Sequence, residues 1–371
     1  MIAKNIAVGD MPDRVQRRLL SLAALFVCLY ALALTLAPAV RARSWNVDYR
    51  WDHWIGVLIW VIAFQVAHVE SMRWLPERDP FLLPVAGLLS GWGMLTVWRL
   101  LPNFGLRQAF WLGLALGVLV AGLRLKPDLV FLRRFKYLWL TGSLALTALT
   151  LVVGVNPMGY GPPMWLGCCG VYLQPSEPLK LMLIAYLAAY LAEAYPLSRL
   201  AATFRQQRSP RAGSAISLLP LLAPTFIMTG LALVLLVIQR DLGTAMLFFF
   251  LYAAIVYVAS GSKSVLVTAF TGIVLSGLAG YLLFDVVRVR VDAWLNPWLD
   301  PSGRSFQIVQ SVLAIASGGL FGRGPGLGNP GLVPVAHSDL IYAAVAEEQG
   351  LVGSLGLLLL YALLTVRGLR A

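Results

Sequence analysis

Residues 318–350 read GGLFGRGPGLGNPGLVPVAHSDLIYAAVAEEQG. A Gly-rich, Pro-punctuated segment runs into a polar cluster, His337-Ser338-Asp339, and an apolar helix is expected to open there, running over 340–366 and carrying Glu347 and Glu348. A helix needs about 20 predominantly apolar residues to cross a bilayer, and this run is long enough. Carboxylates inside such a helix are costly and are functional-site candidates by default.

The rest of the chain repeats the apolar signal. Of its 371 residues 59% are hydrophobic and 12% charged, where a soluble domain would carry about 25% charged residues. The reading is an all-α polytopic membrane protein of about ten transmembrane helices, with a long extracytoplasmic loop before the last. The spans are 19–39, 54–71, 80–99, 109–125, 136–155, 176–194, 217–238, 242–259, 264–285 and 340–366. A β-barrel would show short alternating segments instead. The first apolar run is followed by Pro38 and Arg41 with no small-residue cleavage pattern, so no cleavable signal peptide is expected.

Two loops are long, 156–175 and 286–339. With a cytoplasmic N-terminus, 18 of the 29 Lys and Arg residues fall in inside segments and 10 in outside ones, with Lys180 left within a span. The densest clusters, 124–136 and 199–211, lie inside, so both long loops and Asp339 are expected outside. The net charge of +12 is therefore a topology signal and no sign of nucleic acid. Segment 195–216 reads as a flexible basic cytoplasmic loop, a topology determinant or a contact for anionic lipid.

Cys28, Cys168 and Cys169 give no disulfide or metal pattern, and the adjacent pair suits small apolar packing. His53, His68 and His337 make no zinc site, and the first two read as packed or interfacial histidines.

Three clusters carry chemistry. Loop 156–175 ends in QPSEPLKL (174–181): Pro175 suits a helix start, Glu177 the positive end of its dipole, and Lys180 lies within ion-pair reach of Glu177. Trp165 suits an interfacial anchor. The second cluster is QRDLGTA (239–245), where Asp241 suits an N-cap and Arg240 could instead meet a phosphate. In the third, Arg288, Arg290, Arg304 and Arg323 share loop 286–339 with Trp294, Trp298 and Phe306. Arginine suits bidentate recognition of pyrophosphate. On a helix opened by Asp339, at about 100° per residue, Ala343, Ala346, Gly350 and Gly353 share its azimuth and Glu348 points to the other side. That small-residue stripe either packs on another helix or lines a groove. Asp339 is either an N-cap with Ser338 or a functional carboxylate.

Taken in order, these stretches resemble the SEDS family (shape, elongation, division and sporulation: RodA, FtsW, SpoVE). The resemblance rests on Arg107-Gln108 with Trp111, Trp165-Leu166, QPSEPLKL, QRDLGTA, RVDAWLNPWLDPSGRSFQIVQS (290–311), SGGLFGRGPGLGN (317–329) and AHSDLIYAAVAEEQGLVG (336–353). It implies a peptidoglycan glycosyltransferase that polymerises lipid II at the outer face of the bacterial cytoplasmic membrane, beside a class B penicillin-binding protein. The family's H-T-D-F segment, with its catalytic aspartate, falls on Asp339. Substrate contacts are expected from Arg107, Trp165, Arg240, Arg290, Arg304, Arg323 and His337. Glu177, Lys180, Asp241, Glu347 and Glu348 are expected to be architectural. A divalent cation, magnesium or manganese, is a further candidate for neutralising the diphosphate.

The chain departs from the family pattern at Met164, Arg240, Ser338 and Leu340. It divides into an N-terminal extension, 1–79, with two transmembrane helices, and a SEDS-like core, 80–371, expected to stop two helices short of the family's end. The rival readings are a lipid-linked sugar flippase and an inactive scaffold of a cell-wall synthase.

Overall fold

The computed structural model describes the chain except Met1, 125–129, 157–158, 160–161, 169–170, 209–218 and Ala371, and the side chains of 2–11, 171, 194–208 and 219–221. Lys126, Cys169 and Arg211, and the end of segment 195–216, therefore lie outside the described residues.

Over the described residues each of the ten expected spans coincides with a helix. In chain order the helices are α1 (Ile2–Ala42), α2 (His53–Trp74), α3 (Leu82–Leu100), α4 (Pro102–Arg124), α5 (Val130–Arg134), α6 (Lys136–Val153), α7 (Ser176–Arg208), α8 (Leu219–Ile238), α9 (Leu242–Ser260), α10 (Lys263–Leu283), α11 (Asp285–Leu295), α12 (Phe306–Gly318) and α13 (Ile341–Gly368). Among the described residues seven of them are long and apolar enough to cross a membrane. The protein is an α-helical polytopic membrane protein.

Three expectations need correction. The helix of span 176–194 continues to Arg208, so residues 195–208 of the expected loop 195–216 are helical. Its Leu, Ala, Gln and Arg content favours helix after the apolar run ends. Loop 286–339 contains α11, α12 and 3-10 turns at Pro297–Leu299 and Pro330–Leu332; α11 and α12 have 11 and 13 residues, too short to register as spans. Cys168 is exposed on an antiparallel hairpin, β1 (Leu166–Cys168) with β2 (Val171–Leu173), and is not a packed residue.

The chain forms two compact units, Met1–Pro127 with Val286–Ala371, and Asp128–Asp285. In the first, Val27, Trp60, Phe64, Trp92, Leu95 and Trp98 make a buried cluster with Val345 of α13. Glycine lets these helices approach: a Cβ at Gly91 would lie 2.6 Å from Val27 Cγ2, and one at Gly105 2.2 Å from the Trp98 ring. Lipid tails are as apolar as leucine, so helix association in a bilayer rests on such close packing and on interhelical hydrogen bonds. The latter are present. His53 Nε2 meets Ala31 O at 2.9 Å and Thr35 Oγ1 at 3.1 Å; Gln16 Nε2 meets His68 Nδ1 at 2.9 Å and donates to Ser71 Oγ at 3.1 Å. Both histidines are buried, as packed histidines should be.

In the second unit Leu140, Leu144, Leu179, Leu183, Tyr186, Leu236 and Phe248 form the core. Gln239 ties α8 to α6, donating to Thr147 O at 2.9 Å and Thr150 Oγ1 at 2.8 Å.

Candidate functional site

The site grows from a break in α13. Gly350 has φ +67 and ψ −164, so the helix stops and restarts there. The break frees backbone groups that a lipid environment cannot satisfy. The Gly-rich segment satisfies them. Arg323 N–H donates to Glu347 O at 2.9 Å and Gly324 N–H to Glu348 O at 2.8 Å. Beyond the break, Leu351 N–H donates to Gly319 O at 2.9 Å and Val352 N–H to Leu320 O at 3.1 Å. Only glycine fits at the crossing, because a Cβ at Gly350 would lie 2.3 Å from Gly322 N.

The expected small-residue stripe packs against a helix. A Cβ on Gly318, at the end of α12, would fall 1.9 Å from Ala346 O. The stripe does not continue straight to Gly353, since the helix breaks between them.

Glu347 and Glu348 are both 4% exposed. Both lie against the same glycine: a Cβ at Gly328 would fall 2.9 Å from Glu348 Cγ and 3.1 Å from the Glu347 carboxyl carbon. Glu348 Oε2 accepts from Gly326 N–H at 2.9 Å, and Glu347 Oε1 accepts from Asn329 N–H at 2.8 Å. Arg323, expected to meet substrate, lies 3.7 Å from Glu347 through Nη1, and Arg99 Nε lies 3.4 Å from Glu348 Oε1. Arg41 and Arg99 hold the other edge of the segment, each donating through Nη2 to the carbonyls of Gly326 and Gly328. Sequence reasoning passed over these two arginines as site residues. A cavity of about 410 Å³ opens beside them, lined by Arg41, Asp48, Arg50, Asp52, His53 and Arg99 among others.

Asp339 lies ten residues past Asn329, in a run of turns over 334–340. It does not open α13. The helix begins at Ile341, its N-cap is Leu340, and no side chain caps it. The capping alternative is thereby excluded, and a stretch crowded with turns explains the delay. Val335, β-branched, holds φ +55, a conformation that costs of order 1–3 kcal/mol. The Asp339 side chain is exposed, with no hydrogen bond or ion pair among the described residues. Beside it, His337 packs on the Phe104 ring at 5.8 Å, and the Arg107 guanidinium stands 5.4 Å from the same ring. Leu340, Val333 and Ala336 pack with Leu100, Ala314 and Ala343.

The structure thus brings His337 and Arg107 to one aromatic ring. Arg290 lies within α11, and Arg304 shows only a backbone bond, to Asp300 Oδ2 at 2.9 Å; neither bonds to His337 or Asp339 among the described residues.

In the second unit, Trp165 bridges Val155 through paired backbone bonds of 2.8 and 3.1 Å. Lys180 Nζ donates to Glu177 Oε1 at 2.8 Å. Asp241 caps α9, accepting from Thr244 N–H at 3.1 Å. Arg240 is exposed at φ +60, a value that proline cannot adopt. Among the described residues no three His, Cys, Asp or Glu side chains gather where a metal ion could be held.

The family model described as cell cycle protein (FtsW, RodA, SpoVE) matches residues 99–371. The chain belongs to the FtsW/RodA/SpoVE family. Peptidoglycan glycosyltransferase RodA of Mycobacterium tuberculosis (strain H37Rv) is 32% identical, over 93% of this chain and 75% of its own length. Stage V sporulation protein E of Bacillus subtilis (strain 168) is 32% identical, over 72% of this chain and 68% of its own. A chain in a solved structure, "Structural coordination of polymerization and crosslinking by a peptidoglycan synthase complex", is 27% identical with a TM-score of 0.47, covering 85% of this chain and 76% of that one. The match to the M. tuberculosis RodA spans nearly the whole chain, whereas the family model begins at Arg99, on the last turn of α3.

Proposed function

We infer that this protein is a peptidoglycan glycosyltransferase, polymerising lipid II at the outer face of a bacterial cytoplasmic membrane. The observation that carries the reading is the 32% identity to a protein of that name over 93% of the chain.

The site supplies chemistry suited to it. An acceptor sugar hydroxyl attacks the anomeric carbon of the donor; the carbon–oxygen bond to the diphosphate breaks, and the lipid diphosphate leaves. Asp339 takes the hydroxyl proton as general base, a role for which an exposed carboxylate without an internal partner is suited. His337 and Arg107, fixed on Phe104, flank that proton transfer and offer positive charge or donors to the departing diphosphate. Arg290, Arg304 and Arg240 remain candidates for lipid-phosphate contacts. A divalent cation held chiefly by the diphosphate itself belongs to the same reading, since the described residues gather no set of three His, Cys, Asp or Glu side chains that would hold one alone.

A flippase would need polar groups inside the bilayer available to a passing headgroup. The groups freed at Gly350 are taken up by the Gly-rich segment, and both buried carboxylates are engaged by it. That favours a polymerase. A class B penicillin-binding protein as partner, and a cytoplasmic N-terminus, belong to the same reading.

Purified protein incubated with lipid II, with and without a class B transpeptidase, should yield glycan chains. Translocation of lipid II without chains would replace the reading by a flippase, and neither product by a scaffold.

A further inference from the structure

Two arginines hold one pair of carbonyls. Arg41 Nη2 donates to Gly326 O at 3.1 Å and Gly328 O at 2.8 Å; Arg99 Nη2 donates to the same atoms at 3.1 and 3.2 Å. Arg99 stands at the first residue of the family match, and Arg41 lies outside it, on the last turn of α1. The segment they grip is held on its opposite edge by the carboxylates of Glu348 and Glu347. It needs external support. Gly324 and Gly326 have φ +104 and +76, and glycine loses more conformational freedom on ordering than any other residue.

The grip extends toward Asp339. After Asn329 come the 3-10 turn Pro330–Leu332 and the turns over 334–340. Val333 and Ala336 belong to a buried cluster against which both Leu340 and Leu100, the neighbour of Arg99, pack. The clamp and the Asp339 turn thus share the end of α3. In charge the clamp is nearly self-contained. Glu348 sits against Arg99, and Asp48 and Asp52 line the adjoining cavity with Arg41 and Arg50. An anion-binding role has no excess charge to draw on, and a positioning role needs none.

We propose that Arg41 is a positioning residue for glycosyl transfer: through it α1 fixes the Gly326–Asn329 segment and thereby the Asp339 turn. The inference rests on the reading of Asp339 as the base. It assigns α1 a task in the reaction beyond packing. Misplacing a reacting group by about 1 Å can cost up to 10²-fold in rate, so loss of one of two clamping arginines is expected to matter at about tenfold.

The test compares Arg41→Ala, Arg41→Lys, Asp339→Asn and, as a control, Arg43→Ala in the full chain with lipid II. Arg41→Ala should lower kcat by about tenfold and leave KM within about twofold. Arg41→Lys should recover part of the loss, and millimolar methylguanidinium should restore part of the rate to Arg41→Ala but none to Asp339→Asn. Hydrogen exchange should quicken in peptides covering 324–336 of Arg41→Ala and stay unchanged elsewhere. Arg43→Ala should behave as the parent chain. Unchanged kcat in Arg41→Ala would overturn the proposal, as would a loss that follows folded yield alone and resists methylguanidinium. Exchange that quickens in Arg41→Ala while Asp339→Asn keeps full activity would leave the clamp standing but remove the base it is said to position, overturning the proposal through Asp339 instead of through Arg41.

Discussion

Gly326 donates its backbone N–H to Glu348 Oε2 at 2.9 Å, across 22 residues of chain. A buried carboxylate thus serves as a strut for a loop, and its charge is met by Arg99 at 3.4 Å. Removing one partner of a buried charged hydrogen bond costs more than the bond itself, because the other partner is left unsatisfied.

Glu348→Ala should therefore lower stability by about 2–3 kcal/mol. Glu348→Gln keeps an acceptor for Gly326 and should cost about half as much. The Arg99 side chain is 28% exposed, so water screens much of the lost ion pair. Thermal melting in detergent measures both; equal melting of the two variants and the parent chain would remove Glu348 as a strut.

Glycines in α13 should separate by geometry. Gly350→Ala places a Cβ 2.3 Å from Gly322 N at φ +67 and should abolish or severely reduce folded yield. Gly356 has open space around it, so Gly356→Ala should be neutral or stabilise by up to about 1 kcal/mol. If Gly350→Ala folds as well as Gly356→Ala, α13 is continuous and the loop is held some other way.

The Glu177–Lys180 pair is made, but the Glu177 side chain is 60% exposed. Such pairs contribute about 0–1 kcal/mol. Either single alanine change should cost less than about 1 kcal/mol, and exchanging the two residues should cost less than the two singles together. A larger loss in folded yield for the exchange would show that each side chain has a separate partner.

The helices were legible because a bilayer demands long apolar runs, and such runs leave a signal in single sequences. The break at Gly350 was not, since one glycine among Gly350, Gly353 and Gly356 looks like another small packing residue. Its meaning depends on Gly322, brought there by the fold. The roles of Arg41 and Arg99 were hidden for the same reason, because the carbonyls they hold lie 285 and 227 residues away. Asp339 was picked out by its neighbours in sequence, but its place before the helix was not, as nothing local forbade a helix start at 339. The Asp241 cap was foreseen because capping is local chemistry.

Topology can be tested within the first unit. Ser302 and Glu77 are both exposed, Ser302 ahead of α12 and Glu77 between α2 and α3. Single cysteines at these positions, in a chain with Cys28, Cys168 and Cys169 replaced by alanine, should label from opposite sides of the membrane with an impermeant reagent. Ser302→Cys should react from outside. Labelling from the same side would reverse the assignment of Asp339 to the outer face.

Asp339 carries the sharpest expectation. Its carboxylate is exposed, accepts no hydrogen bond among the described residues and caps no helix, so the fold asks nothing of its charge. Asparagine has nearly the same shape and is a far weaker base. Asp339→Asn and Asp339→Ala should both melt within about 0.5 kcal/mol of the parent chain, as surface substitutions generally do. Lipid II binding should be nearly intact in Asp339→Asn, because the diphosphate contacts proposed above fall to other groups. The polymerisation rate should nonetheless fall by roughly 10²–10⁴-fold in both variants, the usual contribution of a general base. Glutamate keeps the basicity but moves the carboxylate outward by one methylene, so Asp339→Glu should retain more activity than Asp339→Asn. A structural role would give the opposite order, with asparagine the mildest change. An asparagine variant that forms glycan chains at the parent rate would mean that the acceptor proton goes to another group.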